Sequence, residues 1–179
     1  MPIITVHDKS FEQYLSAKQI EEAIKGIADK INLEYADKRP LFIAILNGSF
    51  MFAADLFKFV HIPAEICFIK LASYKGTKSS GQVITAIGLD IDINERHVII
   101  IEDILDTGKT LNHFLPQLHH QQPASMKICV LLHKKECTVF PIEPDMTGFI
   151  IPDRFVLGYG LDYDGFGRNI PEIYQLIGD

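Results

Sequence analysis

Three short stretches of this chain, LFIAIL at 41–46, VIIIE at 98–102 and MKICVLLH at 126–133, are apolar at consecutive positions rather than alternate ones. Side chains of a strand point in turn to opposite faces, so a strand with no polar face must be covered on both. Between these runs lie segments with helical spacing. Ser16 and Gln19 fit a capping box, and Ile20, Ala23, Ile24, Ile27 and Ile31 then recur every three or four residues, which predicts an amphipathic helix over 17–36, ending before Pro40. Ser49 can cap a second helix over about 50–60, and a third is expected from Gly108 to about His120. Further strands are expected at AEICFIKLAS (64–73) and QVITAIG (82–88), on either side of a polar loop, KGTKSSG (75–81). Strand and helix in alternation predict an α/β fold, a mainly parallel sheet flanked by helices. No repeat, low-complexity tract or linker divides the 179 residues, so one domain is expected. Its core would span roughly 16–135, and a small hood of short strands and loops would form from 136–179, with a possible contribution from the N-terminus.

The net charge of −6 and the lack of any block of consecutive Lys or Arg argue against a groove for long nucleic acid. A small anion remains an available ligand, because only the local field at its site must be positive. Cys67, Cys129 and Cys137 are odd in number and form no C-x-x-C pair, so neither structural zinc nor a disulfide framework is expected. The N-terminal residues lack the pattern of a signal peptide and no apolar run reaches the length of a membrane span, so a cytoplasmic protein without membrane contact is expected.

The most informative stretch is 98–111, VIIIEDILDTGKTL. It runs from a strand through the adjacent carboxylates of Glu102 and Asp103 into Asp106-Thr107-Gly108-Lys109-Thr110 and a helix. Ligands of open α/β sheets gather at the carboxyl ends of strands, and the free N–H groups of a helix start favour an anion. Two plainer readings fit the same residues: carboxylates that solvate a strand end, and an Asp or Thr that caps the helix. A P-loop is excluded, because its first glycine would fall at position 103, which is Asp. Two other patterns carry no metal site. Asp90-x-Asp92-x-Asn94 lacks the Gly and final Glu of a calcium loop and reads as a turn, and His119-His120 lie at a helix end.

This stretch resembles the signature of the type I phosphoribosyltransferases, and its EDI-x-DTG-x-T form is most similar to their hypoxanthine-guanine branch. The resemblance extends to ILNGSFMFAADL (45–56), LASY (71–74), Lys134, IPDRFVLGYGLDY (151–163) and Arg168. It implies transfer of a 5-phosphoribosyl group from phosphoribosyl pyrophosphate to a 6-oxopurine, with Mg²⁺, in a homodimer or homotetramer.

The resemblance also implies roles. Asp106, Thr107, Gly108, Lys109 and Thr110 would cradle the 5′-phosphate. Glu102 and Asp103 would face the ribose diol and its magnesium, an ion that prefers hard oxygen ligands. Asp106 would also take or share the proton on purine N7. Leu46, Asn47 and Gly48 would form the pyrophosphate loop, whose Leu46–Asn47 peptide can be cis, with Arg168 meeting the same group. Relatives often carry Lys where this chain has Asn47, so a backbone role is expected there rather than a side-chain one. Ser73, Tyr74 and the polar loop after them would close as a lid. Lys134 would donate to the 6-oxo group, a one-residue slip would put Lys135 there instead, Phe155 would stack on the base, Val156 would meet its edge through backbone groups, and Asp162 would hold a second magnesium. Two rival functions are an adenine, xanthine or pyrimidine transferase, and a nucleotide-sensing RNA-binding regulator. Lys134 has only donors and opposes adenine, and the acidic balance opposes RNA.

Overall fold

A computed structural model describes residues 2–74 and 83–178. The described elements are, in chain order, β1 (Ile3–Val6), β2 (Lys9–Leu15), α1 (Ala17–Glu34), β3 (Leu41–Leu46), α2 (Phe50–Lys58), β4 (Glu65–Tyr74), β5 (Val83–Ile87), β6 (His97–Leu105), α3 (Lys109–His119), β7 (Ser125–His133), β8 (Met146–Ile150), β9 (Val156–Leu157) and β10 (Ile173–Leu176), with a short 3₁₀ turn at Lys135–Cys137.

The main sheet has the order β5-β4-β3-β6-β7-β8. Its strands from β4 to β8 pair in parallel and β5 is an antiparallel edge. The apolar runs occupy its centre, where alternate residues serve two cores. Phe42, Ala44, Ile99 and Ile101 pack with Ile20, Ile24, Ile31 of α1 and Phe52, Leu56 of α2. Ile43, Val98, Ile100 and Val130 pack on the other face with Leu111, Phe114 and Leu118 of α3. Each such buried Val, Leu, Ile or Phe side chain stabilises the fold by about 1.5–3 kcal/mol relative to exposure.

The direction of the chain changes within this sheet. From β3 it crosses through α2 to β4 on one side, and from β6 it crosses through α3 to β7 on the other. The crevice between the carboxyl ends of β3 and β6 is therefore a topological switch point, where open α/β sheets bind ligands.

A second sheet, β1-β2-β10-β9, is antiparallel and joins both ends of the chain. One expectation needs correction here: residues from 136 on are not all hood, because β8 completes the parallel sheet. The expected N-terminal contribution is present, as β1 and β2 form half of the hood sheet. Strand β2 pairs with β10 from the far end of the chain, Glu12 lying opposite Gln175.

Helix α1 starts as expected. The Gln19 N–H donates to Ser16 Oγ at 3.3 Å and the Ser16 N–H to Gln19 Oε1 at 3.0 Å, which is the reciprocal capping box. Ser49 behaves differently: it makes no side-chain cap for α2, and its buried hydroxyl donates to the Ile45 carbonyl at 2.6 Å. Because the Ser16 hydroxyl is half of this capping box, Ser16→Ala should cost about 1 kcal/mol. Thermal unfolding should show a Tm lower by about 2–4 °C, with activity per folded molecule unchanged.

Candidate functional site

Four parallel strands, β3, β4, β6 and β7, end on one edge of the main sheet and place most of the expected site residues there. Leu46–Asn47 is a cis peptide at the end of β3. Gly48 follows, and its α-carbon lies so close to the Asp103 carboxylate that a β-carbon there would overlap it. On its other side the Gly48 carbonyl abuts Gly160, whose φ of 98° also suits glycine. The loop after β3 is thus wedged between the signature strand and the hood. Asn47 is exposed.

Glu102 and Asp103 lie in strand β6, which continues to Leu105, so the two side chains serve different surroundings. Glu102 lines a small cavity of about 80 Å³ together with residues 104–111, while Asp103 lies against Gly48. Glu102 Oε2 is sealed from solvent and, among the described residues, is the buried side-chain oxygen with no hydrogen-bond partner. Burial first, and then the charge of Asp103, hold the Glu102 carboxyl well above the usual range. Burial likewise pushes Asp103 up to about 6, against the pull of its own backbone N–H, that of Ile104 and the Arg168 charge.

Residues 106–110 turn into α3 with Gly108 as the N-cap, at φ 82° and with no side-chain cap. Neither Asp nor Thr occupies the cap position, although Thr107 Oγ1 accepts from the Lys109 N–H at 3.3 Å; the other N–H groups of a helix start are the donors a ligand can use. There is no acidic residue in the first turn, where Lys109 stands instead; against the helix dipole that arrangement suits a bound anion. Asp106, Thr107, Lys109 and Thr110 are exposed and line the same cavity as Glu102. The segment after β7 braces the turn from behind. Thr138 Oγ1 donates to the Asp106 carbonyl at 2.9 Å, and the Val139 N–H donates to the Thr107 carbonyl at 3.1 Å.

Lys134 is buried. Its backbone N–H donates to the Leu105 carbonyl at 2.9 Å, tying the end of β7 to the end of β6. Its ammonium lies 3.0 Å from Asp153 Oδ1 and 3.7 Å from Asp106 Oδ2. Lys135 points away, exposed and 3.9 Å from Glu143. Lys134 and Phe155 line one cavity of about 400 Å³ with Lys9, Asp153 and Leu176. Phe155 is partly exposed at its wall. The Leu176 N–H donates to the Phe155 carbonyl at 3.0 Å, so that pair is hydrogen-bonded and the next, Val156 opposite Gln175, is not. The N–H and C=O of Val156 therefore turn outward from β10, toward the open side of β9, while its side chain is core.

Arg168 donates from Nη1 to the Gly160 carbonyl at 2.7 Å and pairs through Nη2 with Asp162 Oδ1 at 2.6 Å. The other Asp162 oxygen accepts from the Gly165 N–H at 2.7 Å, so this carboxylate is already engaged. Ser73 and Tyr74 are the last two residues of β4, and the lid segment 75–81 lies outside the described residues. Lys9, Asp153 and Thr138 were missed by pattern reading, since each is a lone polar residue near a strand end or in a turn.

The pattern of donors bears on a metal. Among the described residues, no three acidic, His or Cys side chains cluster as a cage. Mg²⁺ instead takes one or two carboxylates plus substrate oxygens; the partnerless oxygen of Glu102, in the cavity at the helix mouth, and the Asp103 carboxylate, against Gly48, are separate candidates for that need. Asp90 to Asn94 is a turn, as expected, with the Asn94 N–H on Asp92 Oδ1 at 2.9 Å.

A phosphoribosyl transferase domain model matches residues 10–164. The chain belongs to the phosphoribosyltransferase family. It is 41% identical over 168 residues to the hypoxanthine-guanine phosphoribosyltransferase of Lactococcus lactis, covering 93% of this chain and 91% of that one. It is 38% identical over 157 residues to the hypoxanthine-guanine-xanthine phosphoribosyltransferase of Tritrichomonas foetus, covering 86% and 85%. A crystal structure of a hypoxanthine-guanine phosphoribosyltransferase from Bacillus anthracis superposes with a TM-score of 0.85 at 33% identity, covering 93% of this chain and 97% of that one. The α/β fold with a hood of both termini is the fold of these enzymes. No helix among the described residues is long and apolar enough to cross a membrane.

The carboxylates of the site carry a pH-dependent cost. A carboxyl whose pKa rises on folding destabilises the native state above the folded value and ceases to do so below the unfolded one. For Asp103 that window runs from about 6 down to the ordinary 3.8. Asp103→Asn should therefore raise Tm at pH 7.5, and the gain should shrink as pH falls through this window. Paired thermal melts at pH 7.5 and pH 4 check the sign.

Proposed function

We propose that the protein transfers the 5-phosphoribosyl group of phosphoribosyl pyrophosphate to hypoxanthine or guanine, releasing pyrophosphate, as a cytoplasmic purine salvage enzyme. The observation that carries this reading is the 3.7 Å approach of Lys134 Nζ to Asp106 Oδ2. It joins a helix mouth suited to a phosphate to a cavity suited to a planar base.

In this reading the amides of 106–110 and the hydroxyls of Thr107 and Thr110 hold the 5′-phosphate. Phe155 stacks on the purine, and the outward backbone groups of Val156 meet its edge. Lys134 donates to the 6-oxo group, a donor-only match that an amino group at C6 cannot make. Asp106 then accepts the N7 proton as the base attacks the anomeric carbon. Its neighbour Lys134 stabilises the negative charge that the purine would otherwise build up.

As the pyrophosphate leaves, the ribose gains positive charge, and Glu102 and Asp103 stand at that end of the site. They would hold Mg²⁺ with the ribose hydroxyls, and the ion would neutralise the phosphates of the substrate. Asp162 is the candidate for a second magnesium, in exchange for one of its present partners. Arg168 has five N–H donors and uses only some on Gly160 and Asp162, so others remain for the pyrophosphate. The amides of the Asn47–Gly48 loop face the same group. A homodimer or homotetramer is the proposed assembly.

The named relatives agree on a 6-oxopurine and differ in whether xanthine is included, so it is the C2 substituent that remains to be ranked. The test is direct. Purified protein with phosphoribosyl pyrophosphate and Mg²⁺ should form a nucleotide from hypoxanthine or guanine and none from adenine; no product from any base defeats the reading. Asp106→Asn should lower kcat by about 10²–10⁴-fold, the usual contribution of a general base, with Tm nearly unchanged. A residue that only caps a helix would show the reverse, a lower Tm with turnover intact.

A further inference from the structure

Gly158, Tyr159 and Gly160 are three successive residues with positive φ, of 99°, 49° and 98°. Glycine holds that backbone freely, whereas a bulky aromatic residue rarely does and needs its surroundings to impose it. Tyr159 is buried in the same core as Ile20 and Ile24 of α1. Its N–H donates to the Ile170 carbonyl at 2.7 Å, and its hydroxyl donates to Asp55 Oδ2 of α2. The other Asp55 oxygen pairs with Lys58 at 2.6 Å. Helix α2 is itself seated on the main sheet through Phe52 and Leu56, so the tyrosine ties a hood turn to a rigid support. Beyond it, Gly160 lies so close to the Gly48 carbonyl that a β-carbon would overlap it. Gly160 also exchanges two hydrogen bonds with Arg168: its N–H donates to the Arg168 carbonyl at 3.0 Å, and its own carbonyl accepts from Arg168 Nη1 at 2.7 Å.

We propose that Tyr159 and Asp55 form a positioning pair for the pyrophosphate end of the site. The inference rests on the proposed transferase reading, which puts the Asn47–Gly48 loop and Arg168 on the leaving group. Both meet at Gly160, the residue after Tyr159, so the anchored hydroxyl sets where the loop and the guanidinium stand relative to each other. Neither member of the pair has to touch substrate. Asp55 is half-buried on the wall of a cavity of about 260 Å³, which Tyr159 shares with residues of α1 and α2 and with none of the residues 102–110. Burial, and then the bond to Asp55, hold the Tyr159 phenol above its ordinary range, so it stays a neutral donor. The base wall depends on other bonds: Phe155 and Val156 are held by the pairing of this segment with β10. Loss of the Tyr159–Asp55 bond should therefore be felt at the pyrophosphate and not at the purine.

Steady-state kinetics in both directions test the pair. Tyr159→Phe removes one oxygen and leaves the ring packed, and water in the cavity can replace the hydroxyl on Asp55, so the variant should fold. It should raise KM for phosphoribosyl pyrophosphate, and KM for pyrophosphate in the reverse reaction, by about 10–100-fold, the scale of a small misplacement of binding groups. KM for hypoxanthine and Kd for the nucleotide product should stay near the wild-type values. Asp55→Ala should reproduce this selective loss, and Asp55→Asn, which keeps an acceptor, should show little of it. The double variant Tyr159→Phe with Asp55→Ala should lose no more than either single one, because both remove the same bond. Unmoved KM values with a lower Tm, an equal rise for every ligand, or losses that add in the double variant would each mark the pair as a strut of the fold and overturn the inference, while leaving the transferase reading standing. A wild-type protein that makes no nucleotide removes that reading and the inference with it.

Discussion

The contact between Gly48 and the Asp103 carboxylate sets the spacing of the whole active edge, because it decides how near the loop after β3 can come to the signature strand. Only a residue without a side chain fits there, and Gly160 repeats the requirement on the opposite side, where the hood meets the same loop. The loop is thus a spacer between two surfaces. Asn47's side chain is exposed, so what the wedge fixes in place is the backbone of the loop. A loop of this kind works through its position, and the position depends on two glycines and on Ser49, whose hydroxyl is bonded back to Ile45 at 2.6 Å.

That closeness has an electrostatic consequence. Drawing the loop over Asp103 removes water from it, and Glu102 beneath the helix mouth is still more deeply enclosed. Two neighbouring carboxyls that resist ionisation are a liability to the fold, since hydrophobic residues of similar volume would be preferred there on stability alone. Among the described side chains neither carboxyl is joined to a cation by a salt bridge. Arg168 helps Asp103 from a distance but is bonded to Asp162, and Glu102 Oε2 has nothing. Two carboxyls so placed ionise more readily when a positive charge comes near, which is the property that the proposed function draws on.

The parts legible from sequence are those whose cause is local. Apolar runs such as LFIAIL and VIIIE report burial on both faces, Ser16 and Gln19 report a helix start, and the 98–111 stretch carries its own glycine and carboxylates. The hood was less legible because its cause is remote. Strand KSFEQYL alternates only weakly, and it exists because Phe11, Leu157 and Tyr174, far apart in sequence, share a small core. MTGFI was grouped with the tail since five residues cannot announce which sheet they join, and only pairing with β7 decides it. Ser49 misled in a different way: serine before a helix fits a cap, yet buried at the end of a strand its hydroxyl found the nearer carbonyl. Lys9 and Thr138 had no pattern to betray them, being single polar residues that tertiary contacts alone bring to the site.

The two halves of the proposed chemistry, holding a phosphate and recognising a base, need not have been adjacent in a fold built from two sheets. They become adjacent through one backbone hydrogen bond, from the Lys134 N–H to the Leu105 carbonyl. Leu105 precedes Asp106, and Lys134 follows the last residue of β7, so the bond continues the parallel ladder one step beyond the strands and fixes where both side chains emerge. A donor for the base and an acceptor for its proton are therefore placed relative to each other by sheet geometry, which is stiff, rather than by loops. Thr138 reinforces the same arrangement, its hydroxyl lying 2.9 Å from the Asp106 carbonyl and 3.2 Å from that of Lys134. The other partner of the ammonium, at 3.0 Å, is Asp153, whose carboxylate is exposed while the lysine is buried, so water can take over the carboxylate where the proposed base takes over the ammonium.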